Sequence, residues 1–165
     1  MNEVQSSSNA DIQETMRIAI VAGRWHEAIV KGLLGGATAA LADAGCHFEV
    51  FYAPTTFDTP VIVQALLETG WDGAVALGAV IPGKSSRFEH LSRAVTTGLN
   101  ELTLQTGKPI GFGMLMVHSE EQGLERAGLP GSKEDKGREA ALSTIATVRI
   151  LRRIRTSGPA AAESP

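Results

Sequence analysis

Within twelve residues, Gly78-Ala79-Val80-Ile81-Pro82-Gly83-Lys84-Ser85-Ser86-Arg87-Phe88-Glu89, the chain places two glycines, two serines, a lysine and an arginine. The stretch follows an apolar run, Gly73 to Leu77, that reads as a buried strand, and precedes a helical pattern starting near Phe88. Such a loop is a ready anion site, because free backbone N–H groups and the positive end of the helix dipole both favour a phosphate there. It also lies at the carboxyl end of a strand, where open α/β sheets bind ligands. The other reading is a plain strand-to-helix connection that binds nothing.

Further candidates follow the other apolar runs: Trp25 and His26, then Thr55 to Asp58, then Met116 to His118. Trp25 offers a flat face to a planar heterocycle, or is a rim aromatic covering the core. Asp58 could accept hydrogen bonds from sugar hydroxyls, or cap a helix ahead of Thr59 and Pro60. Arg126 and Lys136 flank a helix break and could hold a phosphate, or be ordinary surface charge. His26, His47, His90 and His118 lack ligand spacing, so no metal is expected. Neither a Gly-x-Ser-x-Gly elbow nor a Walker loop occurs.

The elements that must position these groups alternate. Strands are predicted at 17–22, 48–52, 71–77 and 108–116. Helices are predicted at 27–44, 61–69 (with Pro60 in the first turn), 88–105, 120–127 and 136–155. This order predicts a parallel sheet with helices on both faces. Every candidate except Arg126 and Lys136 then sits at a strand's carboxyl end, as one ligand site requires. The pair Gly35-Gly36 inside a helix disfavours it by about 1 kcal/mol per glycine against alanine. Close approach of another backbone, from an oligomer or a strand, would explain the pair. Arg149, Arg152, Arg153 and Arg155 read as a solvated helix face near its dipole's negative end.

The 165 residues suffice for one domain, expected at 16–155 with disordered tails at 1–15 and 156–165. Hydrophobic content of 43% and charge of 20% fit a soluble globular protein. A net charge of −3 argues against a nucleic-acid partner. No apolar run approaches a membrane span, and the polar start lacks the core of a signal peptide. The single Cys46 excludes an intrachain disulfide, fits the cytoplasm, and reads as a small packing residue.

Arg24-Trp25-His26, Pro54 to Pro60, Gly78 to Gly83, Gly113-Met114-Leu115, Gln122 to Gly128 and Lys136 to Ala141 occur in this order. The combination of Glu125-Arg126-Ala127-Gly128 with Lys136-Gly137-Arg138-Glu139-Ala140-Ala141 is specific. On these motifs the chain resembles lumazine synthase, from about Arg17 to Leu151. The resemblance implies a flavodoxin-like three-layer α/β/α sandwich around a four-stranded parallel sheet. It implies a homo-oligomer, a pentamer or paired pentamers, with the active site between neighbouring subunits. The implied reaction, in riboflavin biosynthesis, joins 5-amino-6-ribitylaminouracil to 3,4-dihydroxy-2-butanone 4-phosphate, losing phosphate and two waters. No cofactor takes part.

Carried onto this sequence, the resemblance gives Trp25 the pyrimidine stack and Asp58 the ribityl chain. Ile81, Gly83 and Ser85 meet the pyrimidine edge and the phosphate. Phe112 comes from the neighbouring subunit, and Arg126 and Lys136 serve the phosphate. His26, Thr56, Phe57, Val80 and Lys84 complete the expected substrate-binding set. Two departures stand out. Pro54-Thr55-Thr56-Phe57-Asp58-Thr59-Pro60 replaces Pro-Gly-Ala-x-Glu-x-Pro, and Arg87 replaces a histidine credited with proton transfer. A guanidinium does not shuttle protons at neutral pH. Arg87 is then expected to stabilise the leaving phosphate, and His90, one helical turn on, to reach the site. Two outcomes are open: a synthase, slowed or rearranged in its proton transfer, or a paralogue that binds a flavin or lumazine or condenses another carbonyl compound. The segment Leu129 to Asp135 resembles members that stop short of sixty-subunit shells.

Overall fold

The computed structural model describes residues 14–158. Four strands, β1 (Arg17–Gly23), β2 (His47–Ala53), β3 (Gly73–Val80) and β4 (Ile110–Met116), form one sheet in the order β2-β1-β3-β4. All three pairings are parallel. The two central strands are buried along almost their whole length, as parallel strands covered on both faces must be. The helices are α1 (Glu27–Asp43), α2 (Thr59–Glu68), α3 (Arg87–Thr106), α4 (Glu120–Leu124) and α5 (Lys136–Thr156).

Alternation along the strands builds two cores. Ile18, Ile20, Val75, Leu77 and Leu115 pack with Ile29, Leu33, Leu41, Ala141 and Ile145 of α1 and α5. Ala19, Val21, Ala74, Ala76 and Met114 pack with Val63, Leu67, Val95 and Leu99 of α2 and α3. The result is the three-layer α/β/α sandwich with a flavodoxin-like strand order. The tails expected at 1–15 and 156–165 fall largely outside the described residues.

Two readings are corrected. β3 does not stop at Leu77: Gly78, Ala79 and Val80 pair with Met114, Leu115 and Met116, so the expected loop begins in the strand. α3 begins at Arg87, which shortens the connection to residues 81–86. Within this chain the close approach expected of the glycine pair in α1 is made at Gly36, and not by a strand. A Cβ on Gly36 would collide with the carboxylate of Asp135, while Gly35 faces open space. Gly32 lies against Ala127, and Gly137 of α5 lies against the Leu33 carbonyl. α1 and α5 thus meet through small residues, and Asp135, which accepts from the Arg138 N–H at 2.9 Å, caps α5 inside that contact.

The arginine face of α5 is more committed than a solvated surface. Arg152 reaches the Glu14 carbonyl at 3.1 Å and Asp72 at 3.2 Å, and Arg155 donates to the Gly107 carbonyl at 2.7 Å. Cys46 is half-buried beside the first core. Burial pushes its thiol above the ordinary value, against the opposing pull of Arg149 and Arg152.

Candidate functional site

A cleft of about 340 Å³ opens at the carboxyl ends of β1, β2 and β3, where the strand order reverses between β1 and β3. Three connections line it: Trp25 and His26 after β1, Thr55 to Phe57 after β2, and Ala79 to Ile81, Gly83, Ser85, Arg87, Phe88 and Leu91 from β3 into α3. Trp25 and Phe57 are each 66% exposed, so two aromatic faces stand uncovered at one opening. A flat apolar face beside hydroxyls and a cation suits a planar, polyhydroxylated, anionic ligand.

The lining contains no carboxylate. Its one fixed charge is Arg87, whose side chain makes no ion pair among the described residues. The start of α3 is sparsely capped. Ser86 at the N-cap accepts no first-turn N–H, and the Arg87 N–H makes only a 3.4 Å contact to Ser85 Oγ. Helix dipole, hydroxyl and guanidinium thus converge on one corner of the cleft, an arrangement suited to an anion.

The turn after β2 is fixed by its own side chains. Asp58 Oδ2 accepts from the Thr55 N–H at 2.9 Å and from Thr55 Oγ1 at 2.7 Å. This closes a capping box around the single 3₁₀ turn Thr56–Asp58. The Asp58 carboxylate is thus committed to Thr55 and does not line the cleft in the single chain. It occupies the N-cap position of α2 without capping it.

A family model described as 6,7-dimethyl-8-ribityllumazine synthase matches residues 15–152. The chain belongs to the lumazine synthase family. A 6,7-dimethyl-8-ribityllumazine synthase of Leifsonia xyli subsp. xyli is 50% identical over 140 residues, covering 85% of this chain and 89% of that one. The protein of the same name from Clavibacter michiganensis subsp. michiganensis is 49% identical over 140 residues, covering 85% and 88%. That of Streptomyces coelicolor is 41% identical over 140 residues, covering 84% and 87%.

Of the residues expected for a lumazine synthase, the fold brings together Trp25, His26, Thr56, Phe57, Val80, Ile81, Gly83, Ser85 and Arg87. Asp58, Lys84, His90, Phe112, Arg126 and Lys136 do not line this cleft. His90 lies on α3 outside the lining. His118 also lies outside the lining, with its ring 5.7 Å from that of Phe88. Phe112 is 45% exposed on the edge strand β4.

Arg126 and Lys136 sit in the other helical layer. Backbone bonds from Gly128 to the Glu134 carbonyl (3.0 Å) and from Lys136 to the Arg126 carbonyl (2.9 Å) fold the loop between them. Glu134 lies between the two cations, 3.5 Å from Arg126 and 3.7 Å from Lys136. The bond to Glu139 at 2.8 Å raises the Lys136 ammonium above its ordinary value, and the Lys133 bond holds Glu125 below the usual carboxylate range. Within one chain these cations are already neutralised.

Thr55, Ala79 and Phe88 line the cleft from stretches that the sequence singled out without giving these residues a binding role, and Leu91 lines it from beyond them. The Thr55-x-x-Asp58 spacing is a capping-box signal and was available in the sequence. Phe88 and Leu91, three apart on α3, were readable only as core positions.

Proposed function

We propose that this chain joins 5-amino-6-ribitylaminouracil to 3,4-dihydroxy-2-butanone 4-phosphate, forming 6,7-dimethyl-8-ribityllumazine and releasing phosphate and two waters. The family match over residues 15–152 carries this reading, and the named relatives bear the product's name. The cleft's chemistry supports it. The exposed Trp25 face suits the pyrimidine ring. Thr55 and Thr56 hydroxyls suit the ribityl chain, with Asp58 setting Thr55 rather than meeting the sugar directly. Ser85, the start of α3 and Arg87 suit the phosphate. Arg87 keeps its charge throughout and stabilises the phosphate as it leaves.

The working unit is a homo-oligomer, a pentamer or paired pentamers, in the cytoplasm. Phe112, exposed on an edge strand and absent from the lining of its own chain's cleft, supports a shared site. Lys84, Arg126 and Lys136 complete the phosphate side in that assembly, and His90 stays outside the chemistry. A native mass near sixty subunits of 17.4 kDa would overturn the assembly reading.

The direct test gives the purified protein both substrates and follows lumazine absorbance. No product above the uncatalysed condensation would sink the synthase reading. That result together with tight riboflavin binding would replace it by a ligand-binding paralogue.

A further inference from the structure

The condensation moves protons at several steps, yet the cleft holds few groups able to do so. Arg87 stays protonated, and the hydroxyls of Thr55, Thr56 and Ser85 do not exchange protons near neutrality as an imidazole does. His26 is the one imidazole in the lining. His118 packs against Phe88 and His47 stacks on Trp71, each with centroids 5.7 Å apart, and neither they nor His90 line the cleft.

A second observation singles out His26. Its backbone is left-handed, with φ 57° and ψ 57°, and it is the one non-glycine residue with positive φ among the described residues. That conformation is disfavoured for a residue with a side chain and clusters at functional sites. The kink stands between the end of β1 and α1 and gives α1 no side-chain cap. Its local consequence is to bring His26 to the cleft while its neighbours Arg24 and Glu27 line a separate hollow of about 440 Å³ with Lys31 and Tyr52. Within one chain, the charged side chain that shares the cleft with His26 is Arg87, since Asp58 is turned to Thr55.

We infer that His26 is the proton-transfer residue of this site; the inference rests on the synthase reading above. Once the amine and ketone have condensed to an imine with loss of water, neutral His26 takes the proton from the hydroxyl-bearing carbon beside the imine. The C–H electron pair becomes a C=C bond, the neighbouring C–O bond breaks, and phosphate leaves with that bond's electrons beside Arg87. The imidazolium then returns its proton to the terminal carbon, and the enol hydroxyl gives its proton to the released phosphate, leaving the ketone needed for ring closure and a neutral His26.

The test uses the purified full-length protein, its wild type, and the variants His26→Asn and His26→Gly, because both replacements accept the left-handed backbone. The expected result is a kcat loss of about 10²-fold in each, with KM for both substrates changed by less than about threefold. The acid limb of the wild-type pH profile, where protonation silences the base, disappears in both. Added imidazole restores rate to His26→Gly in proportion to its concentration. A kcat within about twofold of wild type would overturn the inference. So would a kcat loss that leaves the acid limb in place and is not rescued by imidazole, which marks a structural role. A wild type that makes no lumazine refutes the synthase reading itself and is told apart by that control.

Discussion

At the amino end of the sheet, Arg17 stacks over Trp71 at 5.0 Å, and Lys108 donates to the Leu67 carbonyl at 2.6 Å in the last turn of α2. Arg155 covers the Gly107 carbonyl at the end of α3, and Asp72 Oδ2 accepts from the Arg17 N–H at 2.7 Å while pairing with Arg152. At the carboxyl end Arg87 has no ion pair among the described residues, α1 and α3 start without side-chain caps, and His26 holds a strained backbone. Among the described residues, the two buried hydroxyls without a partner, Thr59 Oγ1 and Ser92 Oγ, belong to the first residue of α2 and the second turn of α3. The same residue types serve opposite purposes. Where cations meet helix carbonyls they hold the layers together; where they meet a cleft they are left for a ligand.

Exchanging one charge at each end is the strongest way to break that contrast. Arg87→Ala should lower kcat/KM for the butanone phosphate by about 10²-fold, the range for removing one fixed donor at a developing charge. Its melting temperature should stay at the wild-type value, because the side chain has no ion pair to lose. Asp72→Ala should do the reverse. It removes a charged acceptor from the Arg17 N–H and the ion-pair partner of Arg152, where Asp72 and Arg152 are each about two-thirds covered. A loss of about 2 kcal/mol in denaturant unfolding is expected, with kcat/KM retained. A stable but inactive Asp72→Ala would show that the two ends are not separable.

Gly83→Ala sharpens the difference at the carboxyl end. A Cβ at Gly83 would meet nothing within 4 Å, and its φ is not positive, so folding does not demand glycine there. Gly36 and Gly137 in the α1–α5 contact have no such room. If Gly83 exists for close approach of the ligand, Gly83→Ala should raise KM about tenfold, or about 1.4 kcal/mol, with unchanged stability. Steady-state kinetics with each substrate varied in turn, beside a melting curve, separate the two effects.

The sheet, its helices and their order were legible because each element carries its own period or apolar run. Gly73 to Leu77 reads as a strand from composition alone. The strand's true end at Val80 does not, since it is set by pairing with Met116 across the sheet. That Trp25, Gly83, Ser85 and Arg87 would meet at one cleft was legible because strand ends converge at a switch point. The commitment of Asp58 to Thr55 and of Arg126 to Glu134 was not, because both depend on side-chain directions that spacing leaves open. Likewise Gly36 announced a close contact, but only the loop folded back from Gly128 shows that Asp135 makes it.

The smallest expected effect tests whether the carboxyl end gives up stability. Thr59 is fully buried at the first turn of α2, and Oγ1 has no hydrogen-bond partner among the described residues. A hydroxyl removed from water without a partner is destabilising, so a methyl in its place should help. Thr59→Val keeps the β-branch and the shape while deleting the orphaned oxygen. It should stabilise by about 1 kcal/mol and raise the melting temperature by about 2–4 °C. Activity should hold, because Thr59 does not line the cleft. A lower melting temperature would mean that the hydroxyl has a partner in solution. A higher one with slower turnover would mean instead that the orphaned hydroxyl serves the Thr55–Asp58 turn above it, and that the trade between stability and site reaches one layer into the core.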